Sequence, residues 1–164
     1  MNSFRELYEA DMARYPEGKA SEWLRCYHYY LRKTQTAKNR FMKRWYHFCF
    51  RLTGDQHRME ISYNAAIGKG FYMTNPFTIT INSNAVIGEN VTLGKNVTIG
   101  KQNRGDRAGT PIIGNGVIVG DNAVIVGKIK IGNNAEIAAN SYINRDIPDH
   151  AKIEGNPFRI LSES

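Results

Sequence analysis

The sequence predicts a mainly β fold, a parallel β-helix in which each coil makes three short strands, preceded by a helical segment. Three observations indicate it: a branched aliphatic residue returns every six positions, a small residue usually follows it, and residues that tolerate a left-handed backbone recur between them. This period fits neither the roughly 3.6-residue repeat of an amphipathic helix nor the two-residue alternation of a half-buried strand. A β-sandwich would need alternating patterns and turn signals roughly every 8 to 12 residues.

The repeat is most regular between residues 81 and 143, where the interior positions can be read from the chain. They are Ile81, Ile87, Leu93, Ile99, Ile113, Val119, Ile125, Ile131, Ile137 and Ile143. The next position is usually small, as at Gly88, Gly94, Gly100, Gly114, Gly120, Gly132 and Ala138. Residues that accept a positive φ lie between the apolar positions, namely Asn90, Asn96, Gly116, Asn122, Asn134 and Asn140. We expect the aliphatic side chains to stack from coil to coil at about 4.8 Å.

Two irregularities interrupt the repeat, and we expect function to be placed at them. Across the segment 101–111 the aliphatic spacing is 14 residues instead of 12, and this polar, glycine-rich segment must leave the wall as a loop. Earlier, the register resumes two residues late at Ile81, after Ile61, Ile67, Met73 and Ile79. The segment 74–77 is therefore predicted to form a distorted corner.

The N-terminal part has few glycines and many long side chains, and it is predicted to be helical. One helix starts with a capping box at Ser3, a second spans about residues 21–33, and a third spans about residues 37–52 and ends before Gly54. The apolar positions of the third helix are expected to pack on the first coil or on a neighbouring subunit; they are Phe41, Trp45, Phe48 and Leu52.

The predicted organisation is a helical segment at 1–55, a β-helix at 56–148 with a loop at 101–112, and a C-terminal cap at 149–164. The cap is expected because an uncapped coil would expose the hydrogen-bonding groups of its last strand. Two cysteines, Cys26 and Cys49, fit no metal spacing and are expected to be buried free thiols. Without a long apolar run or a signal peptide, a cytoplasmic location is expected.

The formal net charge of +7 resides largely in the helical part. Eight basic residues and no acidic residue lie between positions 25 and 51: Arg25, Arg32, Lys33, Lys38, Arg40, Lys43, Arg44 and Arg51. Such a segment suits nucleic acid, an anionic membrane surface or an acidic substrate. No nucleic-acid module accompanies it, so nucleic acid is not expected as a partner. A basic, aromatic helix can lie on a bilayer surface, which predicts contact with the inner membrane face; alternatively, the basic groups are simply solvated.

The six-residue repeats, the tail Gly-Asn-Pro-Phe-Arg-Ile at 155–160 and the loop at 103–114 resemble the hexapeptide-repeat acyltransferases. The nearest branch is the serine acetyltransferase-like proteins of bacterial surface-polysaccharide pathways. The resemblance implies a left-handed parallel β-helix and a homotrimer with active sites between neighbouring prisms. It also implies acetyl-CoA as co-substrate and, as acceptor, a hydroxyl of a sugar, a polysaccharide precursor or a small metabolite such as serine.

The resemblance also assigns site residues by their position in the motifs. Cofactor contacts fall on Gly100, Gly120, Asp121, Ala138 and Ala139, with Arg159 near the nucleotide phosphates, for which a guanidinium is suited. Contacts to the acceptor fall on Asp106 and Arg107 of the loop. No metal site is expected, because the γ-class carbonic anhydrases that share this coil need three histidines around zinc, and the repeat has none.

The histidine that serves this family as general base is missing. Its position is taken by Asn75, beside Thr74, and an amide does not titrate near neutral pH. The second family histidine is absent from the loop, and the four histidines present are expected in core or surface roles, with His28 or His57 able to reach a neighbour's cleft. Three alternatives follow: an acetyltransferase in which Asn75 orients the acceptor, an enzyme whose base is Asp106 or an N-terminal residue, or a trimeric CoA-binding or scaffold protein without catalysis.

Overall fold

A computed structural model describes residues 3–16 and 20–162 as three helices followed by fifteen short strands. The helices are α1 (Phe4–Ala13), α2 (Glu22–Thr36) and α3 (Arg40–Asp55). The strands are β1 (Glu60–Ile61), β2 (Ala66–Ile67), β3 (Tyr72–Met73), β4 (Thr80–Ile81), β5 (Val86–Ile87), β6 (Thr92–Leu93), β7 (Thr98–Gly100), β8 (Ile112–Ile113), β9 (Ile118–Val119), β10 (Val124–Val126), β11 (Lys130–Ile131), β12 (Glu136–Ile137), β13 (Tyr142–Ile143), β14 (Lys152–Glu154) and β15 (Arg159–Ser162).

The strands form three parallel sheets, which are the walls of a left-handed β-helix. Sheet one runs β1-β4-β7-β10-β13, sheet two β2-β5-β8-β11, and sheet three β3-β6-β9-β12-β14, with β15 added antiparallel at its end. From β1 to β13, strands three apart along the chain are neighbours in space, as one coil of three faces requires. The register pairs interior residues with interior residues, for example Ile81 with Ile99 and Ile87 with Ile113. All ten predicted interior positions are buried, which confirms the six-residue reading.

The turns between strands also match the prediction. Asn90, Asn96, Asn122, Asn134 and Asn140 have φ between 54° and 61°, and Gly116 has φ 66°. Asparagine accepts this backbone more readily than other residues with a Cβ. The corners of the prism are therefore encoded by the same hexads that fill its interior.

The three helices form as predicted, with boundaries shifted by up to three residues. Ser3, Ser21 and Asn39 cap them, each accepting hydrogen bonds from backbone N–H groups of the first turn. Gly54 does not end α3, as the sequence suggested, but lies buried inside its last turn and packs close to Tyr27 and Met59. The first strand begins five residues after the helix ends.

A buried polar network fastens the helices to the first coil. Arg32 donates to both carboxylate oxygens of Asp11, at 2.7 and 2.8 Å, and to the carbonyls of Ile67 and Gly68, at 2.7 Å each. The backbone N–H of Phe71 donates to Asp11 at 2.9 Å. Arg32 is therefore not a solvated surface cation, as its place in the basic run suggested, because α1 and the first coil supply acceptors for it.

Histidine and tyrosine extend this network toward the corner that follows β3. His28 contacts Asp11 through Nδ1, at 3.1 Å, and Tyr15 Oη through Nε2, at 3.0 Å. Tyr15 Oη also accepts from the backbone N–H of Met73, so its own proton is free to bond His28 Nε2. His28 then donates from Nδ1 to the carboxylate of Asp11, and every polar atom in the chain of contacts is satisfied.

The apolar face of α3 does not pack on the first coil, one of the two partners expected for it; the other, a neighbouring subunit, stays a prediction. Its predicted stripe is exposed to solvent in the monomer: Phe41, Trp45, Phe48 and Leu52. The helix is held instead by its opposite side, where Phe50 is buried and its ring lies 4.7 Å from that of Tyr27. The helical period identified one apolar stripe correctly but not the side by which the helix is attached.

Both irregularities and the cap take the expected form. The segment 101–111 leaves the wall as a loop closed by paired backbone hydrogen bonds between Gln102 and Gly109. The corner at 74–78 is distorted, with Thr78 at φ 55°. Strands β14 and β15 form an antiparallel hairpin that covers the last coil. The domain boundaries at 55 and 148 stay a prediction.

Candidate functional site

Residues that follow the strands of sheet three stack into one ridge, which we call the corner column. From the first coil to the fourth it consists of Thr74 and Asn75, Gly94 and Lys95, Gly120 and Asp121, and Ala138 and Ala139. Backbone hydrogen bonds of 2.8 to 3.0 Å tie each coil to the next, running from Thr74 to Leu93, from Gly94 to Val119 and from Gly120 to Ile137. Six of the ten predicted site residues are thereby brought to one corner of the prism.

The small residues of the corner column are required first by the close approach of the coils. A Cβ on Gly120 would lie 2.5 Å from the backbone nitrogen of Ala139 and 2.9 Å from the carbonyl carbon of Ala138. Between the second and third coils, the side-chain carboxylate of Asp121 accepts a hydrogen bond from the backbone N–H of Lys95 at 3.0 Å. Ala138 and Ala139 themselves are exposed and leave an open strip along the corner.

A cavity of about 620 Å³ opens at the first coil of the column. Asn75 and Thr74 line it together with Lys95 of the second coil. Its remaining wall comes from the helices and from the distorted corner, and includes Tyr15, Ser21, Trp23, His57, Tyr72 and Phe77. Aromatic faces beside amide, hydroxyl and ammonium groups are the composition expected of a pocket for a small polar ligand.

His57 lies in this cavity with Asn75 in the same chain. Its ring stacks on Trp23, with centroids 3.7 Å apart, and meets Phe77 edge-on at 6.4 Å. Its carbonyl accepts the N–H of Thr78 at 2.9 Å, which holds residue 57 against the distorted corner. The Nδ1 atom of His57 is buried and has no hydrogen-bond partner among the described residues. A buried nitrogen without a hydrogen-bond partner costs free energy, so this imidazole is held at some expense to stability.

The sequence did not predict this position of His57, because the residue belongs to neither the six-residue repeat nor the apolar stripe of a helix. The residue lies between α3 and the first coil, and its contacts with Trp23 and Thr78 belong to a part of the chain that does not repeat. Tyr15 reaches the same cavity through the helix network, and its burial raises the pKa of its hydroxyl, so that it acts as a neutral hydrogen-bonding group.

The loop residues lie elsewhere. Gly100 ends β7 in sheet one, and the loop that follows leads to sheet two, so Asp106 and Arg107 belong to a different corner from Asn75. Arg107 donates to the carbonyl of Asn144 at 2.6 Å, and Asp106 is exposed. Within one chain the structure does not bring Gly100, Asp106 or Arg107 to the cavity.

Arg159 lies at the far end of the site. In the terminal hairpin its backbone lies opposite that of Glu154. The side chain is exposed, beyond the fourth coil of the corner column. With about 4.8 Å per coil, the hairpin lies roughly 19 Å along the prism axis from Thr74. The column therefore offers an extended strip with a cavity at one end and a guanidinium at the other.

Comparison with known proteins agrees with this architecture. Residues 110–145 match the family described as bacterial transferase hexapeptide (six repeats). Serine acetyltransferase 4 of Arabidopsis thaliana is 37% identical over 99 residues, which cover 59% of this chain and 27% of that protein. Galactoside O-acetyltransferase of Escherichia coli (strain K12) is 36% identical over 110 residues, which cover 61% of this chain and 54% of the enzyme. The chain thus spans only part of these relatives' lengths.

A solved structure gives the same result for the fold. A serine acetyltransferase in complex with CoA superposes with a TM-score of 0.82 and 23% identity, covering 97% of this chain and 70% of that one. The likeness extends over the β-helix and the preceding helices together. The chain thus has the fold of these acetyltransferases, and its residues 110–145 match the bacterial transferase hexapeptide repeat.

Proposed function

We propose that the protein is an acetyl-CoA-dependent O-acetyltransferase acting on a hydroxyl of a small polar acceptor. The observation that carries the proposal is the corner column, which lines up the predicted cofactor positions Gly120, Asp121, Ala138 and Ala139 beneath the cavity that holds Asn75. The related proteins add support, since they transfer acetyl groups to serine or to a galactoside, and a neighbour of the same fold was solved with CoA.

The donor would lie along the exposed strip of the column. Its thioester end would reach the cavity, and its phosphates would approach Arg159, where a guanidinium offers paired hydrogen bonds to phosphate oxygens. Backbone N–H groups at the corner would stabilise the negative charge that develops on the thioester oxygen. Gly100 lies on another corner of the same chain, so its predicted contact would require a neighbouring prism.

The acceptor would bind in the cavity, with its hydroxyl held by the side-chain amide of Asn75. The hydroxyl oxygen attacks the thioester carbon, the carbon–sulfur bond breaks, and the hydroxyl proton passes to the imidazole of His57 and then to the departing thiolate. A positioned base of this kind contributes about 10² to 10⁴ in rate. His57 is preferred over Asp106 as the base because His57 lines the cavity with Asn75, whereas Asp106 lies on another corner.

We propose that the acceptor is either serine or a sugar hydroxyl of a polysaccharide precursor. The aromatic walls from Trp23, Tyr72 and Phe77 favour a ring with one apolar face, whereas Lys95 offers a cation for a carboxylate. Thiol release from acetyl-CoA with serine and with a panel of free and nucleotide-linked sugars distinguishes them. Turnover with one class identifies the acceptor, and no release above the blank with any acceptor contradicts the proposed function.

We also propose a homotrimer in the cytoplasm, at the inner face of a membrane. Support for the assembly comes from exposed apolar side chains on the outer walls, where Val86 and Ile112 lie next to each other in sheet two. A neighbouring prism would cover them and would bring Asp106 and Arg107 of one chain toward the column of the next. Light scattering should give three times the 18.6 kDa chain mass; the mass of one chain would contradict the trimer.

The second candidate function is a CoA-binding or scaffold protein without catalysis. It is favoured by Asn75, since an amide at the family's histidine position cannot accept a proton at neutral pH. Calorimetry that detects CoA binding together with an absence of turnover would support it, above all if Asn75→His then produced activity. Turnover by the unchanged protein would exclude it.

A further inference from the structure

Helix α3 presents a continuous apolar stripe that none of the residues in the described ranges 3–16 and 20–162 covers. The exposed fractions are 84% for Phe41, 60% for Trp45, 55% for Phe48 and 54% for Leu52. Their spacing of four, three and four residues places all four on one line along the helix. The helix has 16 residues and is thus about 24 Å long. Four adjacent large apolar groups in solvent form a surface for a partner rather than a set of isolated exposed residues.

The stripe is not needed to hold the helix in place. The opposite side of α3 buries Phe50 and Gly54, and Trp23 donates its indole N–H to the carbonyl of Thr53. These contacts fix the helix on α2 and the first coil. The exposed stripe therefore faces away from the prism, at the end of the molecule where the coils begin.

Basic side chains follow one edge of the stripe. At 100° per residue, Arg40, Arg44 and Arg51 lie about 70° to 110° from the centre of the apolar stripe, all on the same side. All three are exposed, and none forms an ion pair with an acid in the described part of the chain. The only acid of the helix is Asp55, its last residue. The edge of the stripe is thus a row of free cations.

We infer that this face of α3 binds the surface of an anionic lipid membrane. Phenylalanine, tryptophan and leucine would enter the boundary between headgroups and acyl chains, and the arginines would pair with lipid phosphates. Among the described residues, no helix is long and apolar enough to cross a bilayer. The helix would accordingly lie in the plane of the membrane surface. This inference does not rest on acetyl transfer, and it would give a reason for the position of the helices at one end of the prism.

A second copy of the chain fits the face less well. In an antiparallel packing of two stripes around a twofold axis, the two rows of arginines would lie on the same edge, where like charges repel. Lipid headgroups supply the opposite charge along the whole row. Charge complementarity therefore selects an anionic surface.

Vesicle co-sedimentation of the full chain tests the inference. The vesicles are phosphatidylcholine alone or phosphatidylcholine with about one third phosphatidylglycerol, at low ionic strength. We expect binding to the anionic vesicles only, with a blue shift of Trp45 emission. Each of Arg40→Gln, Arg44→Gln and Arg51→Gln should lower the partition coefficient about fivefold. Combining Phe41→Ser, Trp45→Ser and Phe48→Ser should abolish binding.

Matched controls separate this face from general charge. Lys101→Gln, Lys128→Gln and Lys130→Gln remove the same charge from exposed positions of the prism and should leave binding within about twofold of the unchanged chain. Equal loss in the control set, equal binding to neutral vesicles, or no binding at all would overturn the inference. So would a smaller oligomer in the triple serine variant by light scattering, because a second copy would then be the occupant of the stripe.

Discussion

Arg32 and Asp11 form a two-pronged ion pair in which neither side chain is exposed. The pair joins α1 and α2, and its remaining donors bind two carbonyls of the first coil. Through His28 and Tyr15 the same network reaches the N–H of Met73, one residue before Thr74. The corner that holds the candidate site is thus supported by side chains from both helices.

Removing one partner of this pair should destabilise the fold strongly. Arg32→Met leaves the carboxylate of Asp11 buried with fewer donors, and the expected loss is about 3 to 5 kcal/mol. Urea denaturation followed by circular dichroism measures it. The control is Arg5→Met, which breaks an exposed ion pair with Glu9 and should leave the denaturation midpoint unchanged. Equal, small effects of both variants would show that the buried network does not hold the helices.

The stability of the fold should fall at acid pH, in part because Asp11 becomes protonated. Burial disfavours ionisation of this carboxyl, but hydrogen bonds from His28 and Arg32 and the charge of Arg32 prevail, and its pKa lies below the usual 3.8. Asp11 therefore stabilises the fold fully above that value, and its contribution is lost as pH falls below 3.8 toward the folded-state pKa. Denaturation midpoints should drop over this acid range. In Asp11→Asn the drop should be shallower; an identical slope would assign the effect to other carboxyls.

Replacing His57 should slow acetyl transfer without unfolding the protein. His57→Gln keeps a hydrogen-bonding side chain but removes the titrating group, and we expect kcat to fall about 10² to 10⁴ fold. The limb of the kcat profile that reports the base should disappear as well. His47→Gln, a change in α3 outside the cavity, is the control and should retain activity. A full rate with an unchanged pH profile in His57→Gln would assign the proton transfer to another group.

A methyl group on Gly120 should push apart two coils of the corner column and destabilise the fold. Its Cβ would lie 2.5 Å from a backbone nitrogen of the next coil, so Gly120→Ala must displace backbone, at about 1 to 3 kcal/mol. Gly100→Ala is a milder counterpart, since its Cβ would meet a methyl group of Val126 at 3.2 Å. Thermal unfolding of both variants compares them. Equal stability of the two would show that the coils adjust freely at this corner.

The β-helix could be predicted from the sequence because each kind of position in a coil accepts only one kind of residue. Each strand has a single interior position, which must be aliphatic, and each tight corner needs a positive φ, which asparagine accepts; Ile125 and Asn122 are examples from one coil. The same logic placed Gly120 and Ala138 on one corner, since they follow strands of the same sheet. Local pattern and global fold agree throughout this part of the chain.

The remaining features depend on contacts that no period encodes. Arg32 is buried because it forms hydrogen bonds with Asp11, which lies 21 positions earlier in the chain and packs beside it at the first coil. The stripe on α3 was recognised as apolar, but its exposure depends on which side of the helix Phe50 and Tyr27 attach to the fold. His57 lines one cavity with Asn75, at a distorted corner where its carbonyl accepts the N–H of Thr78. Each of these is a long-range pairing of single residues.

The open strip of the corner column can be tested by calorimetric titration of CoA. Ala138→Tyr and Ala139→Tyr place a ring on exposed positions of the strip, where the fold has room for it. Cys26→Tyr places the same ring on an exposed position of α2. If CoA lies along the column, the unchanged chain and Cys26→Tyr should bind it alike, while both strip variants should bind at least about tenfold more weakly, a loss of roughly 1.4 kcal/mol or more. Equal affinity in all four proteins, or no binding to the unchanged chain, would contradict the placement of the donor and with it the proposed reaction.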